Sequence, residues 1–211
     1  MQAPAGNNTV KAASFAEISG FDRTPFNAGG EDSAWSETAL GVLTLKGNSP
    51  AITETVEIDE LADLTSNADR TDVNFSLNTD LTITFDGDGS AVTLPLLNGT
   101  FDGNGHKITI NASNGGATPY NYLISEISAF GTLKNVRIEY NLTTTENSVG
   151  GGMLVGKNDG LIENVEAEFN YVCHYVQGRQ TFLTAEGTGV VRNAVVHILG
   201  SGWQLSATEG G

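Results

Sequence analysis

One phrase of this chain recurs three times at a fixed interval. Gly131-Thr-Leu-Lys-Asn135-Val-Arg-Ile-Glu-Tyr140 returns as Gly160-Leu-Ile-Glu-Asn164-Val-Glu-Ala-Glu-Phe169. It returns again as Gly189-Val-Val-Arg-Asn193-Ala-Val-Val-His-Ile198, each copy starting 29 residues after the one before. A period of this length marks stacked structural units, because a unit so short cannot bury its apolar face alone. After the asparagine, Val136, Ile138 and Tyr140 form one row, continued by Val165, Ala167 and Phe169 and then by Ala194, Val196 and Ile198. The positions between them are Arg137 and Glu139, Glu166 and Glu168, Val195 and His197. A period of two with one apolar row is a strand. A helix would need apolar residues at i, i+3 and i+4. Equal strands joined by Gly- and Asn-rich turns imply a solenoid of about four to five β-coils, each hydrogen-bonded to the next around a shared apolar interior. The spacing extends upstream, where Ile124 aligns with Met153 and Phe182, and Ser125 with Leu154 and Leu183.

An asparagine at the same point of every coil requires an explanation, since a buried amide is costly unless bonded. Asn135, Asn164 and Asn193 are expected to form a structural ladder, bonding to one another and to the turn backbone. The aligned Gly131, Gly160 and Gly189 should sit where the turn needs positive φ or no side chain. Arg137 is expected beside Glu166 on the outer face, a pair that aids register and adds little stability.

Residues 1–50 differ from the rest: Gly, Ala, Ser, Asn and Pro dominate and periodicity is weak. They read as an extended N-terminal arm or a small cap, with Phe15, Phe21, Phe26 and Trp35 as docking aromatics and one strand over 41–46. Residues 51–200 form the solenoid domain. Asp59 predicts the N-cap of a short helix over 59–67, placed to cover the open end of the core. Alternating segments at 73–77, 81–85, 91–94 and 107–110 predict the first coils, separated by the related turns Phe85-Asp86-Gly-Asp88-Gly89 and Phe101-Asp102-Gly-Asn104-Gly105. Residues 111–130 open as a looser loop that re-enters the solenoid at Tyr120. Residues 201–211 read as a tail in which Trp203 plugs the end of the core.

The chain carries 10 Lys and Arg against 25 Asp and Glu, a formal charge of −15. Phosphate recognition requires clustered cations, so this surface argues against nucleic acid and against anionic membranes. No apolar run is long enough for a transmembrane helix. Cys173 stands alone, excluding an intrachain disulfide, and is read as packing rather than chemistry. The first residues show neither the basic nor the apolar stretch of a signal peptide, so no secretory leader is expected.

Three segments carry a family resemblance: Phe101-Asp-Gly-Asn-Gly-His-Lys-Ile108, Phe130-Gly-Thr-Leu-Lys-Asn-Val136, and Gly152-Met-Leu-Val-Gly-Lys-Asn-Asp-Gly-Leu-Ile-Glu-Asn-Val165. They resemble the GLUG-type repeats of right-handed parallel β-helix proteins, over roughly residues 55–200. The resemblance implies an all-β, right-handed parallel β-helix. Similar domains occur in bacterial surface proteins, adhesins and phage structural proteins, and the wider pectin-lyase-like fold includes pectin-active enzymes. Asn78-Thr-Asp80 resembles the first catalytic motif of polygalacturonases. The remaining motifs of that set are incomplete here: Gly105-His106 is followed by Lys107, Arg137-Ile138 by Glu139, and no paired aspartates exist. Glycoside hydrolysis needs two carboxylates across the scissile bond, and Glu166 and Glu168 lie on one strand as a solvated face.

Asp86, Asp88 and Asp102 in Gly-rich turns are weak calcium candidates. An EF-hand counted from Asp86 fails at Ala91 and Leu97, and one counted from Asp102 fails at Lys107, so turn chemistry explains them and no metal or cofactor is expected. His106, His174 and His197 have no metal-ligand spacing. Tyr171, Tyr175 and Arg179 cluster near one turn, as ordinary loop packing or as a sugar- or protein-binding patch.

The expected function is non-enzymatic: a structural protein on the exterior of a phage virion, a capsid decoration (cement) protein or tail component. It would dock through its arm to capsid or tail subunits and self-associate, with a trimer as the working expectation. The alternative is a carbohydrate-binding adhesin module at a bacterial cell surface or outside the cell. Behind that stands a divergent polysaccharide lyase or hydrolase.

Overall fold

The computed structural model describes residues 35–40, 43–45, 50–86, 91–114, 121–144, 154–172 and 182–201. Expectations for Phe15, Phe21, Phe26, Asp88, Cys173, His174, Tyr175, Arg179 and Trp203 lie outside the described residues.

β1 (Trp35–Glu37) and β2 (Leu43–Leu45) pair antiparallel, Trp35 opposite Leu45, so the first segment contains a second strand besides the expected one. β3 (Glu54–Ile58) begins the solenoid and leads into α1 (Leu61–Ser66). The helix is shorter than expected, and its N-cap is Glu60 rather than Asp59. Asp63 fixes this start, its Oδ2 accepting from the backbone N–H groups of Asp59 and Glu60 at 3.0 Å. Asp59 instead accepts from Asn78 Nδ2 at 3.1 Å. α1 packs against β3 and against the strands over 81–86 and 91–97, with Leu64 fully buried. Among the described residues no helix is long and apolar enough to cross a membrane.

The strands that follow are β4 (Val73–Leu77), β5 (Leu81–Asp86), β6 (Ala91–Leu97), β7 (Thr100–Asp102), β8 (Lys107–Asn114) and β9 (Asn121–Ile127). Then come β10 (Thr132–Thr144), β11 (Val155–Asn158), β12 (Leu161–Val172), β13 (Thr184–Glu186) and β14 (Val190–Ser201). Every pairing among β3–β14 is parallel. One sheet runs β14-β12-β10-β7-β4-β3, with β8 beside β10 and β5 beside β8; a second runs β13-β11-β9-β6. The chain is a parallel β-solenoid of about three turns with coils of about 29 residues. The four to five coils expected from sequence counted the N-terminal rungs as full copies. Those rungs stack at other offsets, Phe75 on Phe101 in one wall but Leu94 on Ile124 in the other.

The interior is built as the alternation requires. Leu133, Val136, Ile138 and Tyr140 are buried, each above its counterpart Ile162, Val165, Ala167 or Phe169. Tyr140 and Phe169 stack with centroids 5.8 Å apart, and Phe169 meets Phe182 at 5.1 Å. Leu154 follows the expected alignment with Leu183, but Ile124 pairs with Val155 rather than Met153. The turn from β9 to β10 takes residues 128–131 and that from β11 to β12 only 159–160, so the 29-residue spacing does not carry upstream across it.

The glycines serve by close approach. A Cβ on Gly131 would overlap the Leu97 carbonyl oxygen, one on Gly160 the Gly131 oxygen, and one on Gly189 the Gly160 oxygen. Positive φ belongs instead to the asparagines: Asn104 (49°), Asn135 and Asn164 (both 54°) and Asn193 (50°). Asn tolerates this region at modest cost. β10 pairs with β7 before Asn135 and with β8 after it, so a single left-handed residue does the work of the Asp102–Gly105 turn and bends the strand around the core. Asn158, only 2% exposed, accepts from Gly160 N at 3.1 Å.

Candidate functional site

The polar side chains of the outer face are tied together along the solenoid axis. Asn193 Nδ2 donates to Asn164 Oδ1 at 3.3 Å, Asn164 Nδ2 to Asn135 Oδ1 at 3.1 Å, and Asn135 Nδ2 to Asp102 Oδ1 at 3.0 Å. Asp102 ends the ladder. Its Oδ1 also accepts from Asn104 N at 3.0 Å, and its Oδ2 meets Lys134 Nζ at 3.0 Å. Burial pushes this carboxyl up, but the Asn135, Asn104 and Lys134 bonds outweigh that and hold it below the usual value. A lysine ammonium therefore occupies the electrostatic position a cation would take at Asp102. Asp86 ends β5, and among the described residues no group of three His, Cys, Asp or Glu could hold a metal ion.

A second ladder went unread in the sequence. Asn170 Nδ2 donates to Asn141 Oδ1 at 3.0 Å, and Asn141 Nδ2 to Asn111 Oδ1 at 3.1 Å. Asn141 and Asn170 also bond Glu139 and Glu168. The signal was present, since Asn141 and Asn170 stand 29 residues apart directly after the inward aromatic of each repeat.

Arg137 lies in register with Glu166, but its guanidinium turns the other way and Nε donates to the Gly105 carbonyl at 3.0 Å. The coil-to-coil ion pairs lie elsewhere: Arg192 with Glu163 at 2.6 Å and Lys107 with Glu139 at 2.8 Å. His197 is half exposed, 4.0 Å from Glu166.

The residues resembling polygalacturonase motifs are brought together. Asp80 Oδ1 accepts from Lys107 N at 2.8 Å and lies 3.4 Å from His106 Nδ1, while Lys107 Nζ reaches Glu139 on the next coil. Two carboxylates thus flank one lysine. The Lys107 backbone bond is the main cause that lowers Asp80, and the Lys107 ammonium, with Asn141, lowers Glu139. Both are ionised at neutral pH.

On the second sheet, Lys157 stands in register between Glu126 and Glu186 and bonds Glu126 at 3.0 Å and Asp159 at 2.6 Å. Gly156 lies against the Ser125 carbonyl oxygen, and Tyr122, Glu126, Gly156, Lys157 and Glu186 line an open groove of about 380 Å³. Tyr171 lies in β12, level with Leu142 and Gly200.

These features define a parallel β-solenoid with axial side-chain ladders. No protein-family model, curated protein or solved structure matches the chain.

Proposed function

We propose that the chain is a non-enzymatic structural protein of a phage exterior, a decoration or tail component. One observation carries the reading: among the described residues, the amides of the two ladders and the ion pairs beside them are bonded to one another from coil to coil. Two amide ladders and the ion pairs beside them stiffen a short rod. The two carboxylates that touch Lys107, Asp80 and Glu139, are both held below their ordinary values. A stiff, acidic rod resists aggregation and presents a constant surface to a protein partner. Electron microscopy of particles assembled without this protein tests the proposal. Missing surface or tail density supports it, and unchanged particles overturn it.

A carbohydrate-binding surface module is the second reading, favoured by the groove that Tyr122 lines together with Glu126, Lys157 and Glu186. Sugars are held by an aromatic face with polar groups at its rim. A glycan array with the Tyr122→Ala variant decides it: retention of a glycan by the parent and loss by the variant would establish the module.

A further inference from the structure

The last described rung of the solenoid differs from the rungs beneath it on both faces. Its inward residues are open: Val191, Val196 and Ile198 are 39%, 36% and 45% exposed, whereas Ile162, Ala167 and Phe169 below them are fully buried. An uncovered end of the column accounts for that row but not for the outward one. There, Val195 and Leu199 are 52% and 49% exposed. The positions beneath Val195 and Leu199 carry Glu166 and Asn170, and beneath those Arg137 and Asn141. These two polar rows become aliphatic at β14, while the neighbouring rows keep Arg192 and His197. This strand pairs with β12 on one side, and no described strand lies on the other.

Charge changes at the same place. In a chain of formal charge −15, residues 182–201 carry one acid, Glu186, and one base, Arg192. Arg192 is already engaged by Glu163. Two copies of this end can meet without the repulsion that the rung beneath, with Glu163, Glu166 and Glu168, would impose.

We propose that this rung is a self-association surface, on which two copies of the chain meet end to end about a twofold axis with their β14 strands paired antiparallel. An unpaired apolar strand is a template for another strand. The open column has two walls, β14 on one side and the half-buried Phe182 and Leu183 before β13 on the other. A second copy supplies the same cross-section, so the two cores become continuous. Pairing centred on Val195 sets Ala194 of one copy against Val196 of the other, both inward, and closes the assembly at two. This interface needs neither the N-terminal arm nor the virion setting.

Sedimentation equilibrium of the full chain, across a concentration series, is the first test. The expected species is a dimer of twice 22.1 kDa. The double variant Val195→Lys, Leu199→Lys changes outward positions only and should keep its circular dichroism. Its dimer should weaken by about 10-fold, because the two ammonium groups introduced at position 195 would stand directly opposite each other across the twofold axis. Val195→Cys in a Cys173→Ser background should form a disulfide-linked dimer on mild oxidation, and Glu166→Cys, one rung inward, should not. The cysteine pair decides the matter even if the lysine variant fails to fold. A parent chain that stays monomeric, with β14 amides protected from exchange, overturns the proposal by assigning the rung to a segment of the same chain. A trimer, or a dimer indifferent to the lysines, overturns it too.

Discussion

Asn164 donates its amide to Asn135 across 3.1 Å while both residues hold φ at 54°. The two facts are one device. The left-handed backbone bends each strand at the same point, and that bend stacks the side chains so that one amide's N–H meets the next amide's oxygen. Asparagine combines tolerance of this backbone with a donor and an acceptor on a short side chain.

Separating the two contributions gives a first prediction. Asn164→Gly removes the ladder bonds and keeps the backbone relaxed, at a cost of about 1–2 kcal/mol. Asn164→Ala removes the same bonds and strains the backbone, adding about 1 kcal/mol. Urea unfolding of both variants should rank alanine as the less stable. Equal midpoints would show that the bend carries no strain.

Gly160 and Gly105 make a second comparison. A Cβ at Gly160 would overlap the Gly131 and Ser128 carbonyl oxygens, which belong to the backbone of the coil beneath. Gly160→Ala should destabilise by about 3 kcal/mol or leave the chain unfolded. At Gly105, φ is +79° and nothing lies within 4 Å of the added atom, so Gly105→Ala meets backbone strain alone, about 1–2 kcal/mol. Thermal unfolding should separate the two clearly, and a larger loss at Gly105 would contradict the stacking of the glycine column.

Asp102 predicts a pH dependence. Its carboxyl is depressed in the folded chain, so near its ordinary value of 3.8 the unfolded chain takes up a proton first. The stabilisation is complete above that value and is lost as pH falls from it through the depressed folded one. The unfolding free-energy gap between the parent and Asp102→Asn, about 1–3 kcal/mol at pH 7, should therefore narrow below about pH 4. A gap that stays constant down to pH 2.5 would show that Asp102 is not depressed.

Phe169 joins Tyr140 and Phe182 into one aromatic column. Phe169→Ala should cost about 3–5 kcal/mol, and Phe169→Leu distinctly less. Denaturant unfolding checks both. A loss under 1 kcal/mol for alanine would mean that the last turns unfold independently of the rest.

The strands that follow Asn135, Asn164 and Asn193, the facing of their side chains, the stacking of those asparagines and a short helix after Asp59 were legible in the sequence, whereas residues 111–114, expected as loop, continue β8. Each follows from local alternation or from a repeat whose copies must occupy equivalent positions. Other features depended on quantities that no single segment contains. Arg137 was expected to reach Glu166, yet the tertiary structure brings the Gly105 carbonyl within its range. Ile124 was expected beside Met153, yet loop length between coils sets it beside Val155.

The 29-residue period by itself determined that this chain is a stack of β-coils, because equal copies can bury equal faces only by lying on one another. Only the tertiary structure decided which ladders close, which carboxylates are neutralised and where the stack is left open. Those outcomes turn on distances across the coils, and on the fact that the aliphatic residues of β14 have no described rung beyond them.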